Sequence, residues 1–72
     1  MKKVVLKVDG MSCGHCVKAI TKALEILSGI HTVEVDLKAK TVTVEHDPAL
    51  AAIEKIKGEI ENLGYEIIAE FL

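Results

Sequence analysis

Cys13 and Cys16 are the only cysteines of the chain, and they stand three residues apart in the stretch GMSCGHCVKAI, residues 10–20. Sulfurs at this spacing converge on one point where a loop enters a helix, and Gly14 between them lets the backbone turn tightly. Two chemistries use such a pair: thiolate binding of a soft metal ion, and reversible dithiol–disulfide exchange. A structural staple is the poorer use, because a disulfide stabilises mainly by closing a long loop and this one would close a very short one.

Cys16 falls in or next to the first helical turn. Unpaired backbone N–H groups and the positive end of the helix dipole favour a thiolate there. Soft sulfur ligands select Cu(I) and Zn(II) over Mg²⁺ and Ca²⁺. A closed zinc site wants four protein ligands, and the pair together with His15 supplies three at best. Two-coordinate Cu(I) needs the pair alone and leaves open sides for an incoming ligand.

The elements that must position this pair are legible as changes of period. Residues 2–9 alternate, with Val4, Leu6 and Val8 on one face, as a half-buried strand requires. From Gly14 to Leu27 the apolar positions Val17, Ile20, Leu24 and Leu27 take helical spacing, and Ser28-Gly29 ends the helix. Val33, Val35 and Leu37, then Val42 and Val44, form a β-hairpin through Lys38-Ala39-Lys40, with Leu37 opposite either Lys40 or Val42. Asp47 as N-cap and Pro48 at the first helical position open a second helix with the stripe Leu50, Ile53, Ile56, Ile60 and Leu63, stopped by Gly64. Tyr65, Ile67, Ala69 and Phe71 share one face of a last strand.

The order βαββαβ suits an α+β, ferredoxin-like fold: a four-stranded antiparallel sheet with both helices on one face. Its chain direction gathers residues 10–15, the hairpin turn 38–41 and Gly64-Tyr65 at one end. His31 and His46 fall at the other, roughly 20 Å away along strands of about six residues, beyond reach of the cysteines. Seventy-two residues allow one domain, 1–72, around a small core of Val, Ile, Leu and Ala, since Tyr65 and Phe71 are the only aromatic residues. Nine basic against eleven acidic residues leave a net charge of −2, which argues against nucleic-acid binding. Lys7 and Asp9 interrupt the first apolar run before it could serve as a signal peptide. No stretch approaches the roughly 20 apolar residues of a membrane span. The expected setting is the cytoplasm, without direct membrane insertion; in that reducing compartment a lone CxxC is metal-binding or catalytic.

The runs GMSCGHCV, GI, VEVDLKAKTVTVEHDP and LGYEI together resemble the heavy-metal-associated domain family, and within it the small bacterial copper chaperones, over essentially the whole chain. The resemblance implies a carrier rather than an enzyme. Cu(I) would be held by Cys13 and Cys16 and passed to a copper-transporting P-type ATPase by thiolate exchange through three-coordinate intermediates. It leaves open an excised N-terminal ATPase domain, and a zinc, cadmium or mercury carrier of the same fold. His15 and Tyr65 look more like the chaperones than the ATPase-attached domains, which often carry Phe in place of Tyr65. Ser12 stands where zinc-transporting relatives often have aspartate, and His46 where the family frequently has an aromatic residue. A thiol–disulfide oxidoreductase is the competing class, but the Trp-Cys-Gly-Pro-Cys surroundings of a thioredoxin-like site are missing.

Around the pair, Met11 reads as packing rather than as a thioether ligand. His15 is a solvated loop residue, a tuner of thiolate basicity, or a third ligand for zinc or in a dimer; tuning is favoured over Cu(I) ligation. Tyr65 is either the first core residue of its strand or a shield over the sulfurs. Lys18, Lys38 and Lys40 lie at the same end. They form either a solvated face or a docking surface for an acidic partner. A metal-linked homodimer, with four cysteines from two molecules sharing copper, is a further expectation of this arrangement.

Overall fold

The computed structural model describes residues 1–10 and 14–71. The elements are β1 (Lys2–Asp9), α1 (Gly14–Glu25), β2 (Ile30–Asp36), β3 (Thr41–His46), α2 (Ile53–Asn62) and β4 (Glu66–Phe71). The strands form one antiparallel sheet in the order β2-β3-β1-β4, so β1 and β3 are central and the ferredoxin-like expectation holds. Val4, Leu6 and Val8 of β1, Val42 and Val44 of β3, Ile20 and Leu24 of α1, and Ile56 and Ile60 of α2 are fully buried in one cluster. Each such side chain contributes about 1.5–3 kcal/mol relative to exposure.

The hairpin takes the register with Leu37 opposite Lys40: Asp36 pairs Thr41, Val35 pairs Val42 and Val33 pairs Val44, which puts every valine on the helix side. Asp36 holds the turn. One carboxylate oxygen, Oδ1, accepts from the amides of Lys38 at 3.0 Å and Ala39 at 3.1 Å. Lys40 sits at φ 58°, and its carbonyl accepts from the Val8 amide at 2.8 Å, tying the turn to the end of β1.

Three boundaries differ from the sequence expectation. The first helix closes at Glu25 rather than Leu27, tightening through a 3.1 Å bond from the Leu27 amide to the Leu24 carbonyl. The second begins at Ile53 rather than at Asp47-Pro48, and its N-cap, Ala52, is extended at φ −72°, ψ 153° with no side-chain cap. Asp47 caps a separate turn instead: its Oδ1 accepts from Ala49, and its carbonyl from Leu50 and Ala51. Tertiary contacts override the local cap signal. The Asp47 amide donates to the Gly29 carbonyl at 2.7 Å, and a Cβ at Gly29 would lie 2.6 Å from that of Leu50. Leu50 therefore leaves the buried stripe and is 62% exposed, and Leu63 at the other end of α2 is 41% exposed.

The third difference is in β4. Val8 pairs Ile67, but past a register shift Lys7 pairs Ala69, Leu6 pairs Glu70 and Val5 pairs Phe71. Directly opposed residues share a face, so one extra residue, Ile68, turns Ala69 and Phe71 to the outer face and Glu70 to the helix side. Glu70 there accepts a 2.8 Å bond from Lys57 of α2. That hydrogen bond holds the Lys57 ammonium pKa above its ordinary 10.5.

Two glycines give one substitution opposite signs. Gly58 lies inside α2 with no atom within 4 Å of an added Cβ, so Gly58→Ala should raise stability by roughly 0.5–1 kcal/mol. Gly29 has φ +91° and no room for a Cβ, so Gly29→Ala should cost about 2–4 kcal/mol. Urea unfolding of both variants checks this; loss of stability in the first, or none in the second, contradicts the packing described.

Candidate metal centre

Strand register decides which segments meet. At one end of the sheet Lys7 pairs Thr41 and Asp9 pairs Glu66, so the exit of β1, the hairpin turn and the entry to β4 lie side by side. At the opposite end His46 pairs with both Lys2 and Ile30. The separation of His31 and His46 from the cysteine end is therefore as expected from the chain direction.

The chain enters α1 at Gly14, and Cys16 is the third residue of the helix, within the turn whose amides lack intrahelical acceptors. Cys16 is half-buried and packs against the core, while His15 and Lys18 are exposed beside it. Gly14 is helical, with open space around an added Cβ. The left-handed backbone at this end belongs to Lys40 of the hairpin turn, Gly10 at φ +97° and Gly64 at φ +96°. Lys38 and Lys40 are exposed in the hairpin turn at the same end. Met11, Ser12 and Cys13 lie outside the described residues.

Tyr65 is half-buried and, like Cys16, packs against the core. Its ring lies against the backbone of Gly10: a Cβ built on that glycine would be 3.3 Å from Tyr Cδ1. Sequence reasoning brought the loops of Gly10 and Tyr65 together through topology but gave Gly10 no part of its own. The signal available was a glycine directly after an alternating strand.

At the far end His46 is completely buried, and its Nδ1–H donates to the Ala51 carbonyl at 2.7 Å. Its Nε2 has no partner among the described residues. The imidazole thus fills space as an aromatic ring would, with one polar edge used and the other not. Among the described residues no three His, Cys, Asp or Glu side chains gather into a cation site.

The Cys16 sulfur, in the first turn of a helix, has the chemistry to bind a soft cation, at the end of the sheet that also carries Tyr65 and exposed lysines. Known proteins of this shape bear on that. The pattern of the heavy-metal-associated domain matches residues 5–66. A copper chaperone CopZ of Staphylococcus aureus is 38% identical over 68 residues, covering 94% of this chain and all of the relative. A CopZ metallochaperone structure superimposes with a TM-score of 0.90 at 36% identity, covering 93% of this chain and 100% of the other. The water-soluble region of the P-type ATPase CopA from Bacillus subtilis gives a TM-score of 0.89 at 36% identity, with 93% of this chain matched to 44% of that one. The fold, the placement of the helix that carries Cys16 and the matched residues agree: the chain belongs to the heavy-metal-associated domain family.

Proposed function

We propose that this chain, as a single heavy-metal-associated domain, carries Cu(I) on the thiolates of Cys13 and Cys16 in the cytoplasm and delivers it to a copper-transporting P-type ATPase. The observation that carries the reading is Cys16 in the first turn of α1, three residues after Cys13 in sequence, in a chain of this family. The curated relatives named as copper chaperones support copper over other soft ions. Among the described residues no helix is long and apolar enough to cross a membrane.

Cu(I) held by two thiolates satisfies its preference for soft, low coordination and keeps a side open. An incoming thiolate adds to the metal to give a three-coordinate species, and one resident thiolate then leaves. No electron changes hands, and the number of Cu–S bonds is the same before and after. His15, exposed beside Cys16, tunes thiolate basicity rather than ligating, and Tyr65 shields the sulfurs from competing thiols. The open side that admits a partner's thiolate also admits a second copy, giving a metal-linked homodimer.

A competition titration of the reduced protein with Cu(I) and Zn(II) against chromogenic chelators tests the core of this. Tight Cu(I) binding preferred over Zn(II) is expected, lost in the Cys13→Ser, Cys16→Ser variant. A zinc preference moves the reading to another ion of the same fold, and weak binding of both moves it to redox chemistry at the pair.

Lys18, Lys38 and Lys40, exposed at the cysteine end, are proposed to dock an acidic face of the acceptor, since opposite charge speeds encounter without demanding high affinity. Reversing all three to glutamate should slow Cu(I) transfer by about tenfold at low salt and flatten its salt dependence, leaving Cu(I) affinity in place. An unchanged rate and salt dependence removes the docking role.

The likeness to the soluble region of an ATPase favours one second reading, an excised domain of such a transporter. Immunodetection in the source cells separates the two: a 7.8 kDa species fits a free carrier, and a much larger one an ATPase domain.

A further inference from the structure

We infer that Gly10 is a positioning residue of the metal end: the space left by its missing side chain seats the Tyr65 ring, which sets how readily an outside thiol reaches the pair. The inference rests on the reading of Cys13 and Cys16 as the metal-binding thiolates and of Tyr65 as their shield.

Two separate observations fall on this one residue. Its φ of +97° lies where side-chain-bearing L residues are strained, and a Cβ there would come 3.3 Å from Tyr65 Cδ1, tighter than ordinary van der Waals contact. Gly64 separates the two effects. It has nearly the same φ, +96°, but nothing within 4 Å of an added Cβ, so at that position only the backbone calls for glycine. At Gly10 the backbone and the ring both do.

The ring has little freedom to give way. Tyr65 is half-buried against the core cluster, directly ahead of β4, so moving it off Gly10 means shifting a side chain already packed. Cys16 packs on the same cluster from α1, so the ring that meets Gly10 and one of the two sulfurs share a common floor. Gly10 is also the first residue after β1, and the stretch to Cys13 starts from it. A ring seated on Gly10 therefore links the entry of β4 to the residue from which the chain runs on toward Cys13 in sequence.

Chemical synthesis of this 72-residue chain makes the decisive comparison possible. L-Alanine at position 10 carries both the strain and the methyl facing the ring. D-Alanine favours positive φ and places its methyl on the other side of the backbone. Release of Cu(I) to a competing chelator should rise about tenfold in Gly10→Ala, within the range seen when groups supporting metal ligands are removed. The Tyr65 ring resonances should shift with it. D-Alanine should restore both the release rate and the ring signature. In a Tyr65→Ala background, where release is already fast, Gly10→Ala should add nothing.

Equal behaviour of the L and D forms, or an L-alanine effect that persists without the ring, overturns the inference. So does unchanged release in Tyr65→Ala. Failure of the parent reading looks different: the unsubstituted protein would then not hold Cu(I) through Cys13 and Cys16 at all.

Discussion

The placement of every element in this molecule depends on β1 being hydrogen-bonded along both edges. Paired with β3 on one side and β4 on the other, Lys2–Asp9 fixes two registers at once, and its inward residues Val4, Leu6 and Val8 form the floor on which both helices rest. A central strand whose Val4, Leu6 and Val8 are all fully buried has little freedom to slip, because a shift by one would turn charged side chains such as Lys7 into the core. Its end then delivers the chain through Gly10 into the stretch with the cysteines. The site inherits its position from this register, and α1 inherits its N-terminus from the same hand-over.

The two ends of the sheet are built by different means. At the end that carries Cys16 the chain turns on left-handed backbone at Gly10, Lys40 and Gly64. At the far end Gly29 and the Asp47–Ala51 turn are packed so closely that a single Cβ would not fit, and His46 is sealed inside with its Nδ1 tied to Ala51. An imidazole with one unpaired nitrogen is a poor core residue by the rule that buried polar groups are satisfied. Its Nδ1–H gives the Ala51 carbonyl, directly before the bare N-cap at Ala52, a donor inside the core.

Much of this was legible in the sequence because period and order carry it. The alternation of Val4, Leu6 and Val8, the helical spacing of Ile20 and Leu24, and the alternating valines of the hairpin gave the elements, with the hairpin register open between Lys40 and Val42 opposite Leu37, and βαββαβ then placed the CxxC pair away from His31 and His46. What was not legible depended on contacts between distant segments. Asp47-Pro48 carries a sound helix-start signal, yet Gly29 recruits Asp47 and the turn after it, so the helix waits until Ile53. The strand at Tyr65–Phe71 alternates cleanly on paper, yet a bulge at Ile68 puts Glu70 where α2 offers Lys57. A bulge changes no local preference and leaves no mark in composition. It is chosen because an edge strand can twist to satisfy the helix above it.

Gly10 belongs to the same category. Local rules assign a glycine after a strand to a turn, and the positive φ bears that out, but they do not say which side chain occupies the vacated space. That follows only from the neighbouring positions of β1 and β4, whose pairing of Asp9 with Glu66 brings residue 10 against residue 65. The two residues are 55 apart in sequence and meet because the sheet order is 2-3-1-4. A metal carrier needs a pair of sulfurs accessible to one partner and guarded from other thiols. If Tyr65 guards the sulfurs as proposed, the guard stands directly ahead of β4, remote in sequence from both cysteines.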